Sequence, residues 1–394
     1  MLVELKPHIH MLSTLDWERR LFDELIPLPD GTSYNAYVIK GTDQIALIDS
    51  SDIRKIEPFL KDLRDLALSK LDYIIANHAE PDHSGAIPAV LEIYSDAKVV
   101  CTEKCKDILV DLLHIPTEQF LTVTDGSTLD LGNYTLKFIV APWVHWPETM
   151  FTYLPEEKIL FTCDFLGNHI ASSEIYSTND TRVYNAAKRY YAEIMMPFRK
   201  IIEKHLEIIR NIDFDLVATS HGLIYNEPSF IIDAYKDWVS DAVKNEVVIP
   251  YVSMYGSTEK LVKYLAEGLI KKGIIVKPFM LTTTDIGELA MALVDAATIV
   301  IGSPTVLTGA HPAVIYGTYL ANLIRPKAKF ATVIGSYGWK GKLVDQIVSL
   351  LPNLKVELLE PVVIKGKPNE EDFHAIDRLI DVIVTKHQEL GILK

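Results

Sequence analysis

Apolar residues recur along this chain in two rhythms. Short runs that alternate or stay wholly apolar predict strands, and apolar positions three and four apart predict helices. In the first sixty residues, GTSYNAYVIKG (31–41) and DQIALIDSS (43–51) read as paired antiparallel strands, with Ile45-Ala46-Leu47-Ile48 short and buried. Ile56, Phe59, Leu60, Leu63 and Leu66 carry helical spacing and lead into a buried strand at 73–76. Beyond it the pattern predicts a helix starting near Ser84 and running over 86–95, a strand at 98–101 and a helix over 103–114. At least two strands follow over 119–140, around the Asp125-Gly126 and Gly132-Asn133 turns. Long helical patterns occupy 185–210 and 228–244.

From residue 247 a different unit repeats: strand, Gly/Ser-rich loop, helix. The runs at 247–252, 298–301 and 329–334 are followed by SMYGST (253–258), GSPTVLTGAHP (302–312) and GSYGWKG (335–341). This alternation predicts a parallel, doubly wound five-stranded sheet. The chain therefore reads as two α/β domains, 1–246 and 247–394, with the change of character at Lys244-Asn245-Glu246.

Composition narrows the partners. The 394 residues carry a net charge of −14, and the charge is uneven. Residues 247–394 hold 16 basic and 14 acidic residues, which leaves 23 and 39 for residues 1–246. An acidic front part argues against nucleic acid and anionic membrane as partners. Three cysteines, Cys101, Cys105 and Cys163, provide neither a disulfide framework nor a four-cysteine metal module. With no signal-peptide pattern and no run of 18 apolar residues, the expectation is a cytoplasmic protein.

Candidate chemistry sits where strands end. The run at 73–76 is followed at once by His78, Glu80, Asp82 and His83, four metal-ligand types within six positions, which in an irregular loop can serve two ions rather than one. A single histidine after a strand is usually an ordinary surface or capped side chain. This density is not. Three further apolar runs end at His145, Asp164 and His221. Strands laid side by side bring such ends to one edge of the fold, where α/β proteins place their chemistry. In the second part, Ser253, Met254, Tyr255, Gly256, Ser257 and Thr258 form a strand-to-helix turn suited to cradle a phosphate. Ser303, Pro304 and Thr305 in the next loop, and Ser336, Tyr337, Gly338 and Trp339 in the last, could hold the edge and face of a flat ring.

Taken together, these motifs resemble flavodiiron proteins over essentially the whole chain. The matching stretches are His78-x-Glu80-x-Asp82-His83, His145-Trp146-Pro147-Glu148-Thr149-Met150, Cys163-Asp164, Ser220-His221-Gly222, the early GTSYNAY, and the later SMYGST and GSYGWKG. The resemblance implies a metallo-β-lactamase-like αββα sandwich followed by a flavodoxin-like doubly wound domain that binds FMN. It implies two iron ions, one held by His78, Glu80 and His145, the other by Asp82, His83 and His221, with Asp164 bridging. The implied activity is reduction of O2 to water or of NO to N2O. The implied electron donor is rubredoxin or reduced coenzyme F420, and the implied assembly is a head-to-tail homodimer or a dimer of dimers.

Glu80 separates this reading from its main alternative, a zinc hydrolase with an appended flavodoxin domain. Hydrolytic relatives carry His at that position, and a carboxylate is the harder donor, better suited to iron in two oxidation states. A second alternative is a plain electron carrier, which would have no use for so complete a ligand set. Two departures from the family pattern stand out. Asp16-Trp17-Glu18-Arg19-Arg20 runs into Leu21-Phe22-Asp23-Glu24, where relatives have an aromatic-His-Gly sequence, so a histidine expected near the metals is missing. Val306-Leu307-Thr308 follows Pro304-Thr305 where many relatives have Asn.

Overall fold

The computed structural model describes residues 1–339 and 341–394; Lys340, in the GSYGWKG stretch, lies outside the described residues. The chain forms two compact units, Met1–Tyr191 with Phe198–Val239, and Ser240–Lys394 with the short segment Ala192–Pro197.

In the first unit two sheets stack face to face. The first runs in the order Leu2–Lys6, Ile9–Asp16, Thr32–Lys40, Ile45–Ile48, Tyr73–Ile75, Lys98–Thr102, Phe120–Val123. Its first four strands pair antiparallel and its last three are added parallel. The second sheet runs Thr128–Asp130, Thr135–Val140, Met150–Leu154, Ile159–Cys163, Leu216–Thr219, with only its last pair parallel. Period-two alternation decides what each strand buries. In Thr32–Lys40, Tyr37 and Ile39 point between the sheets, where they meet Phe138, Met150 and Phe161. Ala36 and Val38 point the other way, onto Phe59, Leu63, Val90 and Leu109 from the helices covering that face. The far side of the second sheet is covered by aromatic packing, Phe151 on Phe165 and Tyr235 on Trp238. This is a metallo-β-lactamase-like αββα sandwich.

The second unit is a parallel sheet in the order Ile275–Met280, Lys244–Tyr251, Ala296–Val306, Phe330–Tyr337, with Glu357–Leu358 and Val362–Lys365 sharing the fifth position. That is the flavodoxin-like doubly wound order, with the reversal between the first and third strands in sequence.

Three expectations shift in detail. The helical pattern at 185–210 is realised as Thr181–Tyr190 and Arg199–Ile209, separated by a π turn at Tyr191–Met195 and a 3₁₀ turn at Met196–Phe198. Pro197 has no N–H to extend the ladder, and its ring crowds the preceding turn. The helix expected from near Ser84 is preceded by a helical turn at Pro81–Ser84, started by a proline whose fixed φ suits the first helical position. Lys244-Asn245-Glu246, where the chain changes character and the strand–loop–helix pattern begins, already belongs to the strand: Lys244 pairs with Ala296 and Glu246 with Ile275. Among the described residues no helix is long and apolar enough to cross a membrane.

His387 ties the last helix, Glu370–Glu389, to the sheet of the second unit. It is fully buried, with Nε2 2.8 Å from Thr298 Oγ1 and Nδ1 2.8 Å from Asn245 Oδ1. An amide oxygen can only accept, so Nδ1 carries the proton and the threonine hydroxyl donates to Nε2. Burial holds the pKa down at about 4, against an ordinary value of 6.5. On acidification the unfolded chain takes up the proton first, so this tie is intact above the ordinary value and is lost as pH falls toward the folded one. The urea midpoint of the second unit should therefore fall as pH is lowered across that window. In His387→Gln the fall should be shallower; an identical pH profile would count against the assignment.

Candidate metal centre

Each candidate ligand stands just beyond a strand, on the edge where the parallel strands end. His78 and Glu80 follow Tyr73–Ile75, Asp82 and His83 ride the turn Pro81–Ser84, and Asp164 and His221 follow Ile159–Cys163 and Leu216–Thr219. His145 sits in the loop between Thr135–Val140 and Met150–Leu154. These side chains fall into two groups. In the first, Glu80 Oε2 lies 3.1 Å from His78 Nε2 and 3.2 Å from His145 Nε2. Asp164 Oδ2 lies 3.4 and 3.3 Å from the same two nitrogens. In the second, Asp82 approaches His83 Nε2 at 3.3 Å and His221 Nε2 at 3.1 Å. Asp164 Oδ1 lies 2.9 and 3.3 Å from those rings. Asp164 thus turns one oxygen to each group.

Apart from His78 Nε2, hydrogen-bonded to Glu80 Oε2 at 3.1 Å, and Asp164 Oδ1, which Tyr190 reaches, the donor atoms meet without pairing. Asp82 Oδ1 and Oδ2, His83 Nε2, His145 Nε2, Asp164 Oδ2 and His221 Nε2 are buried and lack an aligned hydrogen-bond partner. Lone pairs converging on shared points, rather than on each other, are what two cations require. Oxygen donors supply part of each set, which fits iron. Electrostatics agree. Burial works against a proton on His145 and His221, yet Asp164 with Glu80 or Asp82 overrides it and lifts their pKa values to about 9 and about 10. Burial would raise Asp164, but His83, His145 and His221 hold it well below the carboxylate range. The pocket is built for positive charge.

Outer contacts fix the rings. Glu148 Oε1 lies 2.7 Å from His78 Nδ1 and accepts from the Ala79 N–H at 3.1 Å, which turns Nε2 of His78 toward the first group. The Ser33 carbonyl accepts from His221 Nδ1 at 2.9 Å. Tyr190 donates to Asp164 Oδ1 at 2.7 Å. Glu148 and Ser33 lie inside stretches the sequence singles out, but nothing there shows what they hold; Tyr190 carries no local signal at all. Over the centre opens a cavity of about 260 Å3 whose walls include Arg19, Phe22, Asp23, Tyr34, Asp52 and Arg54, with Glu80 and Asp82 reaching it from below. Asp23 therefore lies at the cavity, in the stretch where the sequence lacks the family histidine. Burial, then Glu80 and Asp82, push its pKa up to about 6.

In the second unit the predicted loops share the carboxyl edge of one sheet. Gly256 takes φ +85 and has no side chain to cap the helix Ser257–Lys271, and Ser253 Oγ accepts instead from the first-turn N–H of Glu259 at 3.2 Å. Thr258 Oγ1 lies 3.1 Å from Ser336 Oγ, joining the first loop to the last. Ser303 Oγ is turned inward, accepting from the His311 N–H at 3.0 Å. Thr305, Tyr337 and Trp339 line a cavity of about 490 Å3, together with Lys342 and Lys365, which the sequence does not single out. Residues 253–258 lie outside its lining. A hydroxyl-rich helix start and an aromatic-lined cavity on one sheet edge suit a phosphate-bearing flat ring such as FMN.

Residues 32–222 match a family described as ODP family beta lactamase. A nitric oxide reductase of Moorella thermoacetica is 37% identical over 382 residues, covering 92% of this chain and 93% of the relative. A flavo-diiron protein of Clostridium acetobutylicum is 32% identical, covering 91% and 92%. The solved rubredoxin oxygen:oxidoreductase of Desulfovibrio gigas superposes with a TM-score of 0.94 at 26% identity, over 99% of both chains.

Glu148→Ala would leave the His78 Nδ1–H and the Ala79 N–H without their acceptor. Metal affinity should then fall roughly 10- to 100-fold, read as metal retained in equilibrium dialysis against a graded chelator. Glu148→Gln keeps an acceptor oxygen and should lose less.

Proposed function

This chain belongs to the flavodiiron protein family, and from that premise we propose that it reduces O2 to water, NO to N2O, or both. Two iron ions would be held by His78, Glu80 and His145 on one side and by Asp82, His83 and His221 on the other, with Asp164 between them. FMN would bind to the three loops of the second unit. Bound there, these groups supply the electron transfer that the chain's own side chains cannot. The observation that carries the reading is the split of Asp164, one oxygen to each group of donors.

The protein's part is to position and to shield. Glu80 adds a hard oxygen where a hydrolytic site would have imidazole. Glu148 and the Ser33 carbonyl hold His78 and His221 in one orientation, and the Tyr190 hydroxyl pins Asp164 from behind. Burial keeps water from the donor side of the rings, while Glu80 and Asp82 reach the cavity lined by Arg19, Phe22 and Asp23. Rubredoxin or reduced coenzyme F420 is the proposed electron donor, and a head-to-tail homodimer or dimer of dimers is the proposed assembly.

Asp164→Ala removes the shared carboxylate while leaving the second unit untouched. Consumption of O2 and of NO should be abolished with FMN still bound at native stoichiometry, as read by electrode traces and flavin absorbance. Surviving turnover would take the metal centre out of the reaction. Stopped-flow flavin reduction should be fast with one of the two donors; failure of both would reject the donor assignment.

A further inference from the structure

Arg19 lines the cavity over the metal centre, and its charge is met only by a long, exposed ion pair. Its side chain is 16% exposed, and among the described residues its only ion-pair partner is Glu24, 3.8 Å away on a side chain 79% exposed. No hydrogen bond reaches its guanidinium among the described residues. Arg54, on the same wall, differs: its Nε and Nη2 lie 2.8 and 2.6 Å from the two oxygens of Asp52. Of the other carboxylates at the cavity, Glu80 and Asp82 belong to the two metal groups and Asp52 is held by Arg54, while among the described residues no ion pair joins Asp23 to Arg19. A guanidinium is always charged, has five N–H donors, and is costly to bury unpaired. A site that keeps one in this state is arranged for an anion that comes and goes.

We propose that Arg19 makes this cavity a subsite for a small inorganic anion of the class of azide or nitrite, bound beside the metal centre. Asp23 acts in the opposite sense, as a carboxylate on the same wall that repels such an ion. Together the two would set how strongly anions compete with an uncharged gas for the centre. The inference deepens the reading of the site as an iron centre and rests on it.

The probe is azide, titrated into the oxidised holoenzyme with iron and FMN content measured on each sample, and its dissociation constant read from the absorption change of the metal centre. Arg19→Gln should weaken azide about tenfold, the scale of one charge-assisted hydrogen bond. Arg19→Lys keeps the charge but loses the planar fork and should weaken it less. Asp23→Asn should tighten it several-fold. Glu24→Gln should not weaken it; a loss there as large as in Arg19→Gln would make the arginine a structural partner and overturn the proposal. Unchanged affinity in Arg19→Gln overturns it too. If that variant does not retain iron, Arg19→Lys decides, and native affinity in it is the overturning result. A native chain with no iron removes the preceding reading and this one together; a loaded chain whose azide affinity ignores Arg19 removes this one alone.

Discussion

One carboxylate organises the first unit. Asp164 is buried among four imidazoles and a tyrosine hydroxyl, and it faces both groups of donors at once. A carboxylate so placed is tolerable only if positive charge surrounds it, which is why His83, His145 and His221 all converge there. Its position is set by the strand Ile159–Cys163, whose parallel partner Leu216–Thr219 delivers His221 beside it. The centre is therefore as well defined as the register of that strand pair.

Register alone would not align the two sheets at their working edge. A polar network between them does. Asp49, at the end of a strand in the first sheet, accepts from the Asn77 N–H at 2.9 Å and from Ser220 Oγ, in the second, at 3.1 Å. Asn35 donates to the carbonyls of Thr219 and Gly222, and Tyr37 donates to Thr219 at 2.6 Å. These groups are buried, so each unmade bond would cost about 1–3 kcal/mol. Sliding one sheet over the other would break several together. The apolar filling between the sheets supplies most of the cohesion, but it is non-directional and could not by itself hold the ligands in register.

The two units place their chemistry by the same rule and differ in what they present. In the first, side chains at strand ends make a negative, ring-lined pocket. In the second, loops rich in hydroxyls stand at the strand ends with Tyr255 and Trp339 exposed among them, the place proposed for FMN. A cavity rimmed by Arg19, Asp23, Asp52 and Arg54 then modifies the first site. In the stretch Leu21-Phe22-Asp23-Glu24, where the resemblance leads one to expect a histidine, this chain places Asp23 at the cavity, so the wall there is charged in a way the resemblance does not anticipate.

By itself the sequence determined where strands and helices lie, because alternation and helical spacing are local consequences of backbone geometry. It also displayed the compact ligand run His78, Glu80, Asp82 and His83, and the repeated strand-loop-helix order of the second unit, since both are contiguous. What it left open depends on which distant ends become neighbours. His78 meets Glu148 across 70 positions and His221 meets the Ser33 carbonyl across 188, and no spacing along the chain encodes either. The sharing of Asp164 between two groups was implied only through the family resemblance, and the tyrosine behind it and the place of Arg19 at the cavity came only with the tertiary structure. That stacking brings buried charges within a few ångströms of one another, and at such separations interaction energies change steeply with position while the sequence pattern does not change at all.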